Sequence, residues 1–211
     1  MKYTFTLIAA LCFGFVMQAQ ILRSPCQEKH FPQDPAHRHE LRNNDPALSV
    51  QASNLRSDTV DVIYYRISLN ITDFVTDTIR GYTDVNFAAR MNNVDTLHLD
   101  LLQMLVDSVQ HNGSPCTYFY DDTLLRVVLP YTHNIGDTET VRVYYHGVPQ
   151  IDQQGLGWGG FYFQSGYAYN LGVGFDANPH NYGRVWFPCF DNFVERSTYT
   201  IGITTNSGKL A

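Results

Sequence analysis

Several chemistries are absent from this 211-residue chain. No Gly-x-Ser-x-Gly occurs, so there is no nucleophile elbow, and no Cys-x-x-Cys, so there is no dithiol redox pair. The glycine-rich run 155–160 is not followed by Gly-Lys-Ser/Thr and opens no helix, which excludes a phosphate-cradling loop. The nearest approach to a zinc-binding His-Glu-x-x-His is His39-Glu40-Leu41-Arg42-Asn43, where Asn43 takes the place of the second imidazole. His37 cannot replace it, because residues i and i+2 do not share a helix face. That segment reads as solvated linker. Charged residues are scarce at 16%, and the net charge is −6 with no block of like sign. A nucleic acid or an anionic membrane surface is therefore not the expected partner.

Long apolar runs are missing too, with one exception at the start. Lys2 precedes an apolar stretch from Leu7 to Val16, and Met17-Gln18-Ala19 puts a small residue before Gln20. This is the pattern of a secretory signal peptide over 1–19, and it is too short to span a bilayer, which takes about 20 residues. Export to the periplasm or the extracellular space is the expectation, with no membrane span. Cleavage would remove Cys12 and leave Cys26, Cys116 and Cys189, an odd number whose pairing the sequence leaves open. Three cysteines do not make a cysteine-stapled miniprotein.

Residues 20–58 show no sustained period and are punctuated by Pro25, Pro32, Pro35 and Pro46, which predicts an irregular lead-in. From 59 onward the pattern alternates. Ile63, Tyr65, Ile67, Leu69 and Ile71 form one face of a first strand, and Ile79, Thr83, Val85 and Phe87 one face of a second. Leu97, Leu99 and Leu101 alternate with His98 and Asp100. Val106–His111 leads into the tight-turn pair Asn112-Gly113. Thr117–Tyr120, Leu124–Leu129 (ended by Pro130) and Thr138–His146 continue the series. Strands at this spacing, with no amphipathic helix, predict an all-β antiparallel domain over 59–211. Phe161–Phe163 and Tyr167–Tyr169 read as an aromatic hairpin, and Tyr199, Ile201 and Ile203 as a last strand.

Candidate site residues are few. His98, His111, His133 and His146 fall on separate strands or turns, and structural or surface roles are expected of them; no metal site and no catalytic residue is assigned. Asp121-Asp122 favours a turn. The cluster Trp158, Phe161, Tyr162, Phe163, Tyr167 and Tyr169 could stack on sugar rings, although packing is the simpler expectation. The richest segment is Gly183-Arg184-Val185-Trp186-Phe187-Pro188-Cys189-Phe190-Asp191-Asn192. Arg184 offers a planar fork of donors and Asp191-Asn192 can turn or cap the backbone, which predicts a local clamp at a sheet edge.

The same segment resembles the Arg-x-x-Phe-Pro-Cys-x-Asp signature in the N-terminal domain of M1-family zinc aminopeptidases. Upstream residues fall in a matching order: Asp61-Val62-x-x-Tyr65-x-Ile67-x-Leu69, Ile79-x-Gly81 with Val85-x-Phe87, Leu97-x-Leu99, Val106-x-x-Val109 with Asn112-Gly113, and Tyr145-His146-Gly147-x-Pro149. The resemblance implies a saddle-like or sandwich β domain that packs on a thermolysin-like zinc domain of the same polypeptide and walls a cleft for peptide substrates. It implies Zn2+ in that absent domain and none in this chain, which would be truncated before the catalytic part. Arg184, Trp186, Phe187, Pro188, Cys189 and Asp191 then carry the signature. A Glu or Gln that binds the substrate amine in such enzymes maps near Pro179, with Asp176, Asn178 and His180 as neighbouring substitutes. Phe193 departs from the family pattern, which has Pro there. The rival expectation is a stand-alone secreted sandwich that binds glycan or protein.

Overall fold

A computed structural model describes residues 55–152, 159–174 and 180–209. The leader and most of the lead-in lie outside these, as do Trp158, Asp176 and Asn178. A one-turn helix, α1 (Leu55–Thr59), runs directly into β1 (Val60–Asp73), and β2 (Thr78–Ala89) returns antiparallel to it. The connection is shaped by Asp73, whose Oδ1 accepts the backbone N–H groups of Val75 and Thr76, both at 3.0 Å, and by Asp77 at φ 54°. An aspartate at this position competes for the backbone and so forces a turn.

The chain continues through β3 (Val94–Asp100), β4 (Leu105–His111), β5 (Ser114–Pro115), β6 (Tyr118–Tyr120), β7 (Leu124–His133) and β8 (Thr138–Gly147). β9 (Phe161–Gln164) and β10 (Tyr167–Asn170) form the aromatic hairpin, and β11 (Thr198–Thr205) follows a 3-10 turn at Gly183–Val185. A six-stranded sheet has the order β11-β1-β2-β8-β4-β5, and a three-stranded sheet the order β3-β7-β6. One core joins them. Val85, Phe87, Val141 and Val143 from the larger sheet and Leu97, Leu99, Leu125 and Val127 from the smaller are all 0% exposed. Each such burial stabilises by about 1.5–3 kcal/mol. The fold is all-β, and no helix among the described residues is long and apolar enough to cross a membrane.

Four local expectations change. Ile63 faces outward at 41% exposure while Val62 is fully buried, because the β1–β2 register shifts between Val62 and Tyr64. A shift of one residue flips the faces. β11 pairs with β1 in parallel, Ile67 opposite Ile201, so the larger sheet is mixed rather than purely antiparallel. Asp100, expected on the wet face of β3, is buried. Finally, β7 does not stop at Pro130. Its pairing with β3 skips from Val128–Thr96 to His133–Val94, and Pro130 sits inside that irregularity, where its missing N–H interrupts no ladder bond. The extension carries His133 into the core. The Asn112-Gly113 turn has the expected form: φ is 49° and 79°, and His111 pairs with Ser114 across it.

Candidate functional site

The signature segment closes on itself around one carboxylate. Asp191 accepts the backbone N–H of Gly183 at Oδ1 and of Arg184 at Oδ2, both at 3.2 Å, while Arg184 Nε donates to Oδ2 at 2.6 Å. Space at Gly183 is tight: a Cβ there would stand 3.1 Å from the Phe187 ring and 3.3 Å from Asp191 Oδ1, so these side chains would have to give by a few tenths of an ångström. Burial pulls the Arg184 guanidinium toward its neutral form, but the charge and hydrogen bond of Asp191, with Asp100 behind it, outweigh this and raise its pKa. Arg184 is a fixed cation.

The loop is then tied to the β domain. Asp100 and Cys189 form an isolated two-bond bridge, with N···O distances of 2.7 and 3.0 Å, and Leu102 donates to Arg184 O at 2.7 Å. The Asp100 carboxylate takes both ends of the Arg56 guanidinium, at 3.0 and 2.9 Å, and also the Asp191 N–H at 3.0 Å. Arg56 lies over the Phe190 ring, 4.8 Å from its centroid. The Tyr65 hydroxyl accepts the Phe190 N–H at 2.8 Å, and its ring meets Phe187 edge-on and stacks on Tyr199. Trp186 packs on Phe187 at 4.4 Å, and Pro188 is buried. Cys189 is a buried free thiol whose pKa burial pushes well up, reinforced by the charges of Asp191 and Asp100. A neutral, inaccessible thiol is neither nucleophile nor metal ligand.

Beside this clamp lies an apolar groove of about 740 Å³. Its lining includes Leu69, Ile71 and Ile203 with Phe74, Trp186 and Tyr167. Within the hairpin Phe161 is buried and packs toward Trp186, whereas Tyr162 and Tyr169 stack at 5.2 Å and Tyr167 is 74% exposed. Lys209 caps one end, its ammonium 4.1 Å from the Phe74 ring centroid and bonded to Gly166 O.

Of the candidate amine-binding residues only His180 is described. It sits at an isolated bridge between Val173 and Asn181, where Gly174 N donates to His180 O at 2.9 Å and His180 Nδ1 lies 3.2 Å from Gly174 O. That ring edge is therefore held by the loop's own backbone.

The histidines divide. His98 lines a shallow hollow with Arg56 and Met91, and His146 lies on β8 near Asp107. His111 and His133 converge, joined by Glu139 on β8, which the sequence reading passed over. His111 Nε2 is 2.7 Å from Glu139 Oε2, His133 Nδ1 is 3.9 Å from Oε1, and Tyr131 donates to Oε1 at 2.8 Å. Burial pushes the Glu139 carboxyl up, yet the hydrogen bonds from His111 and Tyr131 bring it below its ordinary value. One signal was available in the sequence: Glu139 has the same parity as Val141, Val143 and Tyr145, the inward face of β8.

No family model and no curated protein matches the chain. Solved structures do. The chain is similar to a two-domain M1 zinc metallopeptidase bound to L-arginine (25% identity, TM-score 0.61), with 71% of this chain and 33% of the other covered. It is similar to an M1 zinc metallopeptidase from Deinococcus radiodurans bound to a Tyr-Ser-Ala substrate (26% identity, TM-score 0.60), covering 70% of this chain and 33% of that one. Yeast LTA4 hydrolase in complex with bestatin shares the fold at 18% identity and TM-score 0.51, with 71% and 23% covered. The resemblance to M1 zinc metallopeptidases thus holds in three dimensions, and this chain spans about a third of the length of the first two.

Proposed function

We propose that this chain is the non-catalytic N-terminal β domain of an exported M1-like zinc metallo-aminopeptidase, an enzyme that removes N-terminal residues from peptides. The observation that carries the reading is the agreement between the Arg184–Asp191 clamp and the structural kinship with M1 metallopeptidases over some 70% of the chain. In this reading the clamp is scaffold. It fixes the 183–191 loop against β3 and β1, so that this loop meets a catalytic domain at a constant position. Zn2+ and its ligands belong to that domain, which is the partner the reading requires. Asp176, Asn178 and His180 are the side chains assigned to the substrate amine.

Two measurements test this. The purified chain, given amino-acid amides or Tyr-Ser-Ala, should release no amino acid with or without chelator. Chelator-sensitive release would overturn the non-catalytic role. The native coding sequence read beyond Ala211 should continue into His-Glu-x-x-His. If it stops there, with no zinc-bearing partner chain, the peptidase reading fails.

A secreted module that binds glycan or protein is the second reading, favoured by exposed Tyr167 in the lining of the apolar groove. Retention on immobilised glycans that disappears with Tyr167→Ala would support it.

A further inference from the structure

We propose that His111, His133 and Glu139 form a binding site for one divalent transition-metal ion, with Zn2+ the best-matched, that pins the two sheets together. The site is independent of the peptidase reading, whose metal belongs to a different domain, and it replaces the purely structural role expected of these histidines.

Each residue arrives from a different strand. His111 ends β4 and Glu139 is the second residue of β8 in the six-stranded sheet, while His133 ends β7 in the three-stranded sheet. All three occupy inward-facing positions: His111 is 5% exposed, His133 is 1%, and the Glu139 side chain 16%. Three ionisable groups meeting at the seam between two apolar faces need compensation. The His111–Glu139 contact at 2.7 Å supplies it for those two residues alone. His133 is left over. Its Nδ1 is 3.9 Å from Glu139, beyond hydrogen-bonding range, and its buried Nε2 has no partner among the described residues. An unpaired buried polar atom in a native core points to an ion or water not otherwise accounted for.

The donor chemistry selects the ligand. Two imidazoles and one carboxylate form a three-residue zinc set that leaves a fourth position for water. Calcium and magnesium take oxygen ligands and are poorly served by two nitrogens. Candidate donor atoms on the three residues all lie within 4.8 Å of one another. Around tetrahedral zinc, donors stand about 3.3 Å apart, so the ion asks for shifts of about 0.5–1.5 Å. An outer layer is in place as well. Tyr131 donates to Glu139 Oε1, which leaves Oε2 for the ion, and the Asn112 amide nitrogen is 3.5 Å from Oε2. Partners of this kind orient first ligands and tune affinity.

The experiment uses the untagged full chain, stripped with chelator and titrated with Zn2+ against a metallochromic indicator and with Co2+ by visible absorption. One equivalent of Zn2+ should survive desalting, and Co2+ should give a tetrahedral-type spectrum. His133→Gln and Glu139→Gln should each weaken binding at least tenfold, and Tyr131→Phe, which keeps every ligand, about tenfold. A wild-type chain that retains neither ion overturns the proposal. So does retention unchanged in a folded His133→Gln protein, which would place the metal elsewhere, for example on His30, His37 or His39. Should the variants fail to fold, X-ray absorption of the zinc-loaded wild type decides: two imidazoles with oxygen ligands support the site, whereas sulfur, all-oxygen or three-imidazole coordination overturns it.

Discussion

Asp191 does more than pair with Arg184: its carboxylate is also the acceptor for two backbone N–H groups that the 3-10 turn leaves over. Removing it strands a largely buried guanidinium and two donors at once. Asp191→Ala should therefore lower unfolding free energy by about 3–5 kcal/mol, the range for breaking a buried pair from one side. Asp191→Asn keeps an acceptor and should cost about 1–3 kcal/mol. Urea denaturation of the three proteins measures both, and equal losses would show that the carboxylate charge is irrelevant. At the same loop, Cys189 should resist alkylation in the native state while half-buried Cys116 reacts first, as read by site-resolved mass spectrometry. Early modification of Cys189 would mean that the clamp opens readily. The short-range half of this site is legible in the sequence, because Arg184 and Asp191 lie seven positions apart and their chemistries are complementary. Its anchors are not. Arg56 reaches Asp100 across 44 positions and Asp100 reaches the loop across 91, and no local pattern announces such pairings. Glu139 is an intermediate case, since an acid at inward parity is visible once the strand is drawn, but its partners on β4 and β7 are not.

Strands were readable wherever one face is apolar and the other polar, which covers β1, β2, β3, β7 and β8. What failed was phase and pairing. The bulge at Val62–Tyr64 reverses the face of Ile63, and the β7 irregularity hides three residues beyond Pro130. The parallel seat of β11 on β1 is equally invisible, because strand order is set by crossovers and not by composition. Gly81 shows how tight the β1–β2 pairing is. It sits opposite Leu69, and a Cβ there would come within 2.0 Å of Ser68 O and 3.2 Å of Leu69 Cα. That neighbour is backbone and cannot swing aside, so the strands must separate. Gly81→Ala should destabilise by about 1–3 kcal/mol, as overpacking does, with an unchanged denaturant slope. A neutral or stabilising result would mean that the two strands part there without loss.

At the scale of the whole molecule, three neutral acids among the described residues, two phenols and a thiol, are held protonated by burial. Tyr65, Tyr145 and Cys189 are all shifted upward, each chiefly by burial, with nearby acidic groups adding to the shift at Tyr65 and Cys189. The sign follows from linkage. In the unfolded chain Cys189 loses its proton above about pH 8.5 and the tyrosines above about pH 10, whereas in the folded protein all three keep theirs. The folded state then binds more protons than the unfolded one, so stability falls as pH rises. Below about pH 8.5 these groups contribute no slope. From there the loss should begin at up to about 1.4 kcal/mol per pH unit from Cys189 and steepen above pH 10 as the two phenols join. Denaturation midpoints followed from pH 7 to pH 11 give the curve. Cys189→Ser should shrink the first limb to what half-buried Cys116 adds through its own raised pKa, and leave the second. A flat profile through pH 10 in the wild type would show that the thiol reaches solvent in the native state, and with it that the seam between the signature loop and the β domain is open.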